Sequence, residues 1–178
     1  MRRLLGGTAA ALMALTIAVA PALAANPGAR PGDSTIVEIV LAPDGEFDAL
    51  QAAVIEAGLA GALSASRQLT VFAPTDAAFV STFRAVLGDD TLSESDVIAF
   101  IASGGVDMAF GDGALANILL YHVTNGRRTS TSVVHAPRYQ MLNGDSLTRA
   151  ELIDAGIAAV DVSASNGVIH VIKWVLLP

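Results

Sequence analysis

The segment that most limits the fold lies at the C-terminal end. Residues Val168 to Leu177 read VIHVIKWVLL. In an extended chain, Val168, His170, Ile172, Trp174 and Leu176 share one face, with Ile169, Val171, Lys173, Val175 and Leu177 on the other. Both faces are mostly apolar, so the segment needs cover on both sides and reads as a central strand. Trp174 is then expected in the core, with Lys173 snorkelling outward near the strand's end. Asn166-Gly167 supplies a hairpin turn back to a strand over Ala158–Val162. A second core strand is expected at Gln68–Ala73, where Thr70 to Phe72 are β-branched or aromatic and Pro74 ends the run.

Helical signals dominate the first half. Thr35-Ile36-Val37-Glu38 has capping-box form and predicts a short helix, with a strand as the rival because Ile and Val favour sheet. After a turn at Pro43-Asp44-Gly45, Phe47, Leu50, Val54 and Ala57 recur at helical spacing, and Gly58 supplies a stop. A short turn of helix follows over Leu59–Ser64. Thr75 is expected to cap a helix from Asp76 to Leu87, and Asp76 to complement its N-terminal dipole, together worth about 1–2 kcal/mol. Ala77, Ala78 and Phe79 let that helix sit close to the sheet. Another helix is expected around Val97–Ala102, and Asp112 is the expected cap of one carrying Leu115, Ile118 and Leu119. Beyond the Asn125-Gly126 turn, strands are expected at Thr129–Val134, Tyr139–Leu142 and Ser146–Thr148, the last two joined by a turn at Asn143-Gly144. Helices first and strands later predict an α+β domain.

The N-terminus is a separate matter. Met-Arg-Arg leads an uncharged apolar run from Leu4 to Leu23, and Ala22-Leu23-Ala24 has the small-x-small form of a cleavage site. This predicts a signal peptide over residues 1–24; an uncleaved membrane anchor is the alternative. A Pro- and Gly-rich tether over 25–33 then leads to one domain at 34–178. The chain has no cysteine and no N-glycosylation sequon, which fits a bacterial exported protein in the periplasm or outside the cell. Loss of Arg2 and Arg3 would leave 8 basic against 17 acidic residues, so the net charge moves from −7 to −9. Such acidity argues against nucleic acid and anionic lipid surfaces as partners.

Three patterns suggest chemistry. Gly144-Asp145-Ser146-Leu147 has the form of an esterase signature with Ser146 as nucleophile. That nucleophile needs a base and an orienting carboxylate. None of His122, His135 and His170 follows an Asp at the expected three-residue spacing, and the segment is better explained as a turn into a strand. The same three histidines lack the spacing of a metal site, and no metal or cofactor is expected. Arg127-Arg128 reads as a solvated loop or strand end.

Four stretches taken together resemble the fasciclin (FAS1) domain. "TVFAPTDAAF" (Thr70–Phe79), with Thr70, Phe72, Pro74, Thr75, Asp76 and Phe79, is similar to its first block. "ILLYHVTNG" is similar to its Tyr-His segment, "MLNGDSL" to the loop and strand that follow, and "SNGVIHVIKWVLLP", with Asn166, Gly167 and His170, to its closing block. The resemblance implies a β-sandwich or wedge of short strands with several helices packed at one side. It also implies an extracellular binding or adhesion module, not an enzyme, whose partner is a cell-surface or matrix protein or carbohydrate. Tyr121 and His122 match a pair linked to folding and adhesion. Asp161-Val162 match the Asp-Ile step of an integrin-binding motif, with Val160 where that motif has Pro. The segment from 88 to 113 is longer than usual for the family. It either packs on the domain, forms a partner surface, or covers a small apolar ligand.

Overall fold

A computed structural model describes residues 32–42, 45–64 and 67–178. The expected signal peptide, most of the tether, and Pro43-Asp44 of the first turn lie outside the described residues. In chain order the elements are α1 (Ile36–Val40), α2 (Asp48–Glu56), α3 (Ala60–Leu63), β1 (Leu69–Pro74), α4 (Asp76–Leu87), α5 (Glu94–Ala102), α6 (Gly105–Phe110) and α7 (Ala114–Tyr121). There follow β2 (Val123–Asn125), α8 (Ser130–His135), β3 (Arg138–Gln140), β4 (Ser146–Thr148), α9 (Arg149–Asp154), β5 (Ile157–Ala164) and β6 (Gly167–Ile172).

A four-stranded sheet in the order β2-β1-β6-β5 organises the domain, with β1 and β6 parallel and the outer pairings antiparallel. Residues alternate between two cores across this sheet. Leu69, Val71, Ala73 and Ile169 face the larger core, where α1, α2, α4, α5 and α7 bring Ile36, Leu50, Phe79, Ile101 and Leu119. Phe72 and Ile172 face the smaller core with Tyr121, Tyr139, Leu147 and Leu152, which the β3–β4 hairpin and α9 close. An isolated bridge between Thr124 and Met141 joins hairpin to sheet. The fold is thus α+β, a wedge of short strands with helices packed on it, and β6 is covered on both faces.

Several helices start where their residues direct. Thr35 and Glu38 form the capping box of α1, which is helix and not strand, and the Thr75 hydroxyl accepts the Ala78 N–H at the head of α4. Asp76 does more than complement the α4 dipole. Its buried carboxylate accepts the N–H groups of Asp48 (3.1 Å) and Ala49 (2.8 Å), capping α2, whose own N-cap, Phe47, has no side-chain acceptor to offer. Asn166 has a comparable reach. Its side chain accepts from Ile36 N–H (2.9 Å) and donates to Leu63 C=O (2.7 Å), so the β5–β6 turn joins α1 and α3. Gly167 follows because β1 passes close by: a Cβ there would stand 2.1 Å from the Leu69 carbonyl oxygen.

Three expectations are corrected, and two helices are added. Residues 129–134 are not a strand: α8 forms there, because a carboxylate from β5 meets its first amide and overrides the β propensity of Thr and Val. The closing strand stops at Ile172, and Trp174 is 48% exposed, beyond the end of the ladder that would have buried it. The acceptor at the head of α7 is Asp107, which takes the Leu115 N–H at 2.8 Å, and not Asp112; the turn at Gly111–Gly113 brings α6 back against the start of α7. Finally α6 and α9 were not anticipated, although Thr148 and Glu151 make a complete capping box for α9.

Candidate functional site

The loop from Gly126 to Ser130 is held by groups from three strands. Thr70 of β1 donates its hydroxyl to Gly126 C=O (2.7 Å) and accepts the Arg128 N–H (2.9 Å). His170 of β6 donates Nε2–H to Arg128 C=O (2.8 Å), while its Nδ1 accepts the Asp161 N–H (3.4 Å), which fixes the tautomer. The ring lies stacked on Phe72, its neighbour in the parallel pairing, with centroids 5.7 Å apart. Asp161 of β5 accepts both the N–H and the hydroxyl of Ser130, and these bonds hold its carboxyl below the usual carboxylate range. Arg127 closes the loop from the other end, donating to Ala164 and Gly167 carbonyls (3.0 and 2.9 Å) and to the Ser163 hydroxyl.

Asp161 reaches α8 because the backbone is deformed to aim it. The β5–β6 register shifts between Ala159 and Val162, and Asp161 lies within the bulge at φ 58°, a left-handed conformation that few side chains tolerate. Residues 158–161 are exposed on this edge strand, yet the bulge spoils it as a template for another strand. The result is a fixed outer face formed by β5, the loop and α8.

Of the residues expected to contact a partner, Asp161 and Val162 lie at this face, the first exposed and the second half-buried. Tyr121 and His122 lie inside. His122 is 3% exposed, and its Nδ1–H donates to Ile118 C=O (2.8 Å) while Nε2 accepts the Leu176 N–H (2.9 Å). Burial depresses its pKa to about 4, against the opposing pull of the Ile118 carbonyl, so the ring is neutral at pH 7. A second tie, from Val175 N–H to the Thr82 hydroxyl (3.3 Å), helps fix the C-terminal segment. His122 is therefore placed to hold the end of α7 and that segment together, while Tyr121 is buried in the smaller core with Leu176.

Ser146 begins β4 opposite Gln140, after a turn in which the Asn143 side chain accepts the Asp145 N–H (3.0 Å). Neither buried imidazole offers it a base, since both nitrogens of His122 and of His170 already have partners. Carboxylate oxygens of Asp48, Asp76 and Glu94 lie within 4.8 Å of one another. Asp48 and Glu94 sit in the first turns of α2 and α5, where acidic groups meet helix dipoles, and Asp76 is the α2 cap. An apolar groove of about 270 Å³ opens between α4, α6, α7 and the C-terminal segment, with Phe79, Phe83, Phe110, Ile118 and Val175 on its walls.

The loop arginines and Ser130 were not anticipated as parts of a site. Their fixing groups lie 31 to 58 residues away in sequence, a distance at which no local pattern signals contact.

A sequence model of the Fasciclin domain matches residues 45–178. Protein sll1483 of Synechocystis sp. is 37% identical over 150 residues, covering 81% of this chain and 73% of that protein. The transforming growth factor-beta-induced protein ig-h3 of Sus scrofa is 33% identical over 145 residues, covering 78% of this chain but 19% of that protein. Among solved structures, a FAS1 domain pair from the insect cell adhesion molecule Fasciclin I aligns with a TM-score of 0.54 at 18% identity, over 83% of this chain and 52% of that one. At that identity the likeness is one of fold.

Proposed function

This chain belongs to the fasciclin domain family, and from that premise we propose that it is an exported binding module that engages a cell-surface or extracellular-matrix partner without chemically altering it. The observation that carries this reading is the clasp between Asp161 and Ser130. It holds an exposed loop, a helix and an edge strand in one arrangement, and a rigid surface loses little entropy when a partner docks. Fasciclin I, the neighbour in fold, is a cell adhesion molecule. No helix among the described residues is long and apolar enough to cross a membrane, and export rests on the N-terminal signal pattern.

Asp161 is on this reading a positioning residue. Its carboxylate already accepts two hydrogen bonds within the chain, so it shapes the face more than it offers a free anion. Protein coated on a plate should retain cells or cell-envelope fragments, and Asp161→Ala should lower retention by releasing α8. Absence of retention from every surface extract tried would sink the proposal.

A second reading, carriage of a small apolar molecule, is favoured by the groove beside α6. Its check is mass spectrometry of an organic extract of the purified protein. A stoichiometric apolar compound supports it, and a clean extract from a native source removes it.

A further inference from the structure

Charge is unevenly divided along the chain. Residues 33–125 carry thirteen acidic against two basic side chains, whereas residues 126–178 carry four against five. Within the latter, the stretch from 127 to 149 holds four arginines and one aspartate. Two of these arginines converge on Tyr139. The Arg128 guanidinium lies over the ring, 5.6 Å from its centroid, and its Nε is buried without a hydrogen-bond partner. Arg149 spans the turn before β3, its N–H donating to Pro137 C=O (3.2 Å) and its guanidinium to Val134 C=O (3.3 Å). Both positive charges act on the Tyr139 phenol, opposing the upward pull of its burial. Arg138 is exposed on the opposite face of β3 from Tyr139, where its charge acts on Glu151.

This geometry suits a planar anion. Arg128 has its backbone pinned at both N–H and C=O and its guanidinium stacked on an aromatic face. A guanidinium so held presents a fork that matches the two oxygens of a carboxylate. Around it the exposed side chains are mainly hydroxyls, among them Thr131 and Ser132; Val134 and Val160 are the large apolar ones, and the Asp161 carboxylate is already engaged by Ser130. Protein interfaces usually need a cluster of apolar anchors, which this patch lacks. Densely charged surfaces such as nucleic acid or anionic bilayers would meet the acidic remainder of the molecule. A single polymer strand bearing carboxylates and hydroxyls can touch the patch alone.

Resting on the binding-module reading, we propose that the surface around Tyr139 binds an acidic polysaccharide through uronate carboxylates, with Arg128 and Arg149 as the principal contacts. The test is retention of the purified protein on immobilised polygalacturonate, with neutral dextran, polyglutamate and phosphatidylglycerol vesicles as comparators. Binding is expected to polygalacturonate alone and to weaken above about 0.15 M salt, as screening shortens the reach of charge. Arg149→Ala, at an exposed side chain that leaves the core intact, should lower affinity about tenfold, as should Arg128→Ala. Arg128→Lys should recover only part of the loss, because the charge returns without the fork, and Arg67→Ala in the acidic half should change nothing. No retention, or retention indifferent to Arg149→Ala, overturns the proposal. Equal binding to polyglutamate or to vesicles also overturns it, in favour of an acidic protein or a membrane. Loss of polygalacturonate binding while coated protein still retains cells refutes this inference alone; failure of both refutes the binding module as well.

Discussion

Two peripheral segments of this domain are fixed by opposite means. The segment from 88 to 113 organises itself: Ser93 and Asp96 form a complete capping box for α5, and Asp107 within α6 meets the head of α7 eight residues on. It anchors through Val97, Ile101 and Val106 and leaves Met108 86% exposed and Phe110 half-exposed beside the groove. The segment from 126 to 137 depends on others. Its loop and helix are held by Thr70, Asp161 and His170, none of them a near neighbour in sequence, and its exposed surface is basic and hydroxylated. The contrast shows that a surface segment can be ordered by its own capping signals or by groups projecting from a sheet. The second arrangement ties the shape of the surface to the register of the strands, which suits a face that must present fixed contacts.

Moving the strands should therefore disturb the second segment before the first. Gly167→Ala places a Cβ 2.1 Å from the Leu69 oxygen and 2.8 Å from Ile36, so β1 and β6 must part. A loss of about 3 kcal/mol or more is expected by chemical denaturation, the largest effect among these variants. Next is His122→Ala, which strands the Leu176 N–H and the Ile118 carbonyl and loosens the C-terminal side of the groove. The expected loss is about 1–3 kcal/mol, with the Gly126–Ser130 clasp retained.

His122 also gives a pH signature. The folded protein keeps it neutral down to about pH 4, whereas the unfolded imidazole protonates near 6.5. Between those values the unfolded chain binds the extra proton, so this contribution is complete above 6.5 and is lost as pH falls towards 4, on the order of 3 kcal/mol in all. Melting curves across that range should lose much of their acid slope in His122→Gln. Smaller again is Ser93→Ala, which should cost about 1 kcal/mol and fray α5 alone, as a locally capped helix should.

The same contrast explains what the sequence discloses. The capping signals of Thr35 and Thr75 act within three residues, and α1 and α4 form at the positions those signals mark. By contrast α5 starts at Glu94, three residues before the expected Val97, because Ser93 and Asp96 form a capping box that the apolar pattern alone did not reveal. The apolar faces of Val168–Ile172 revealed a central strand, because burial on both sides shows in composition. Residues 129–134 misled because Thr and Val favour strand, and the acceptor that makes them helical comes from Asp161. Trp174 misled because alternation cannot say where a ladder ends. The motif residues Thr70, Asp76, Asn166 and His170 were visible as members of family-like blocks, but their tasks lie in contacts 27 to 130 residues away.

Amide hydrogen exchange on Asp161→Ala decides whether α8 is held from β5. Faster exchange is expected at Ser130 and through α8, with α4 and α5 keeping the protection of the unaltered protein. Unchanged exchange in α8, or an equal loss in all three helices, would contradict that attachment.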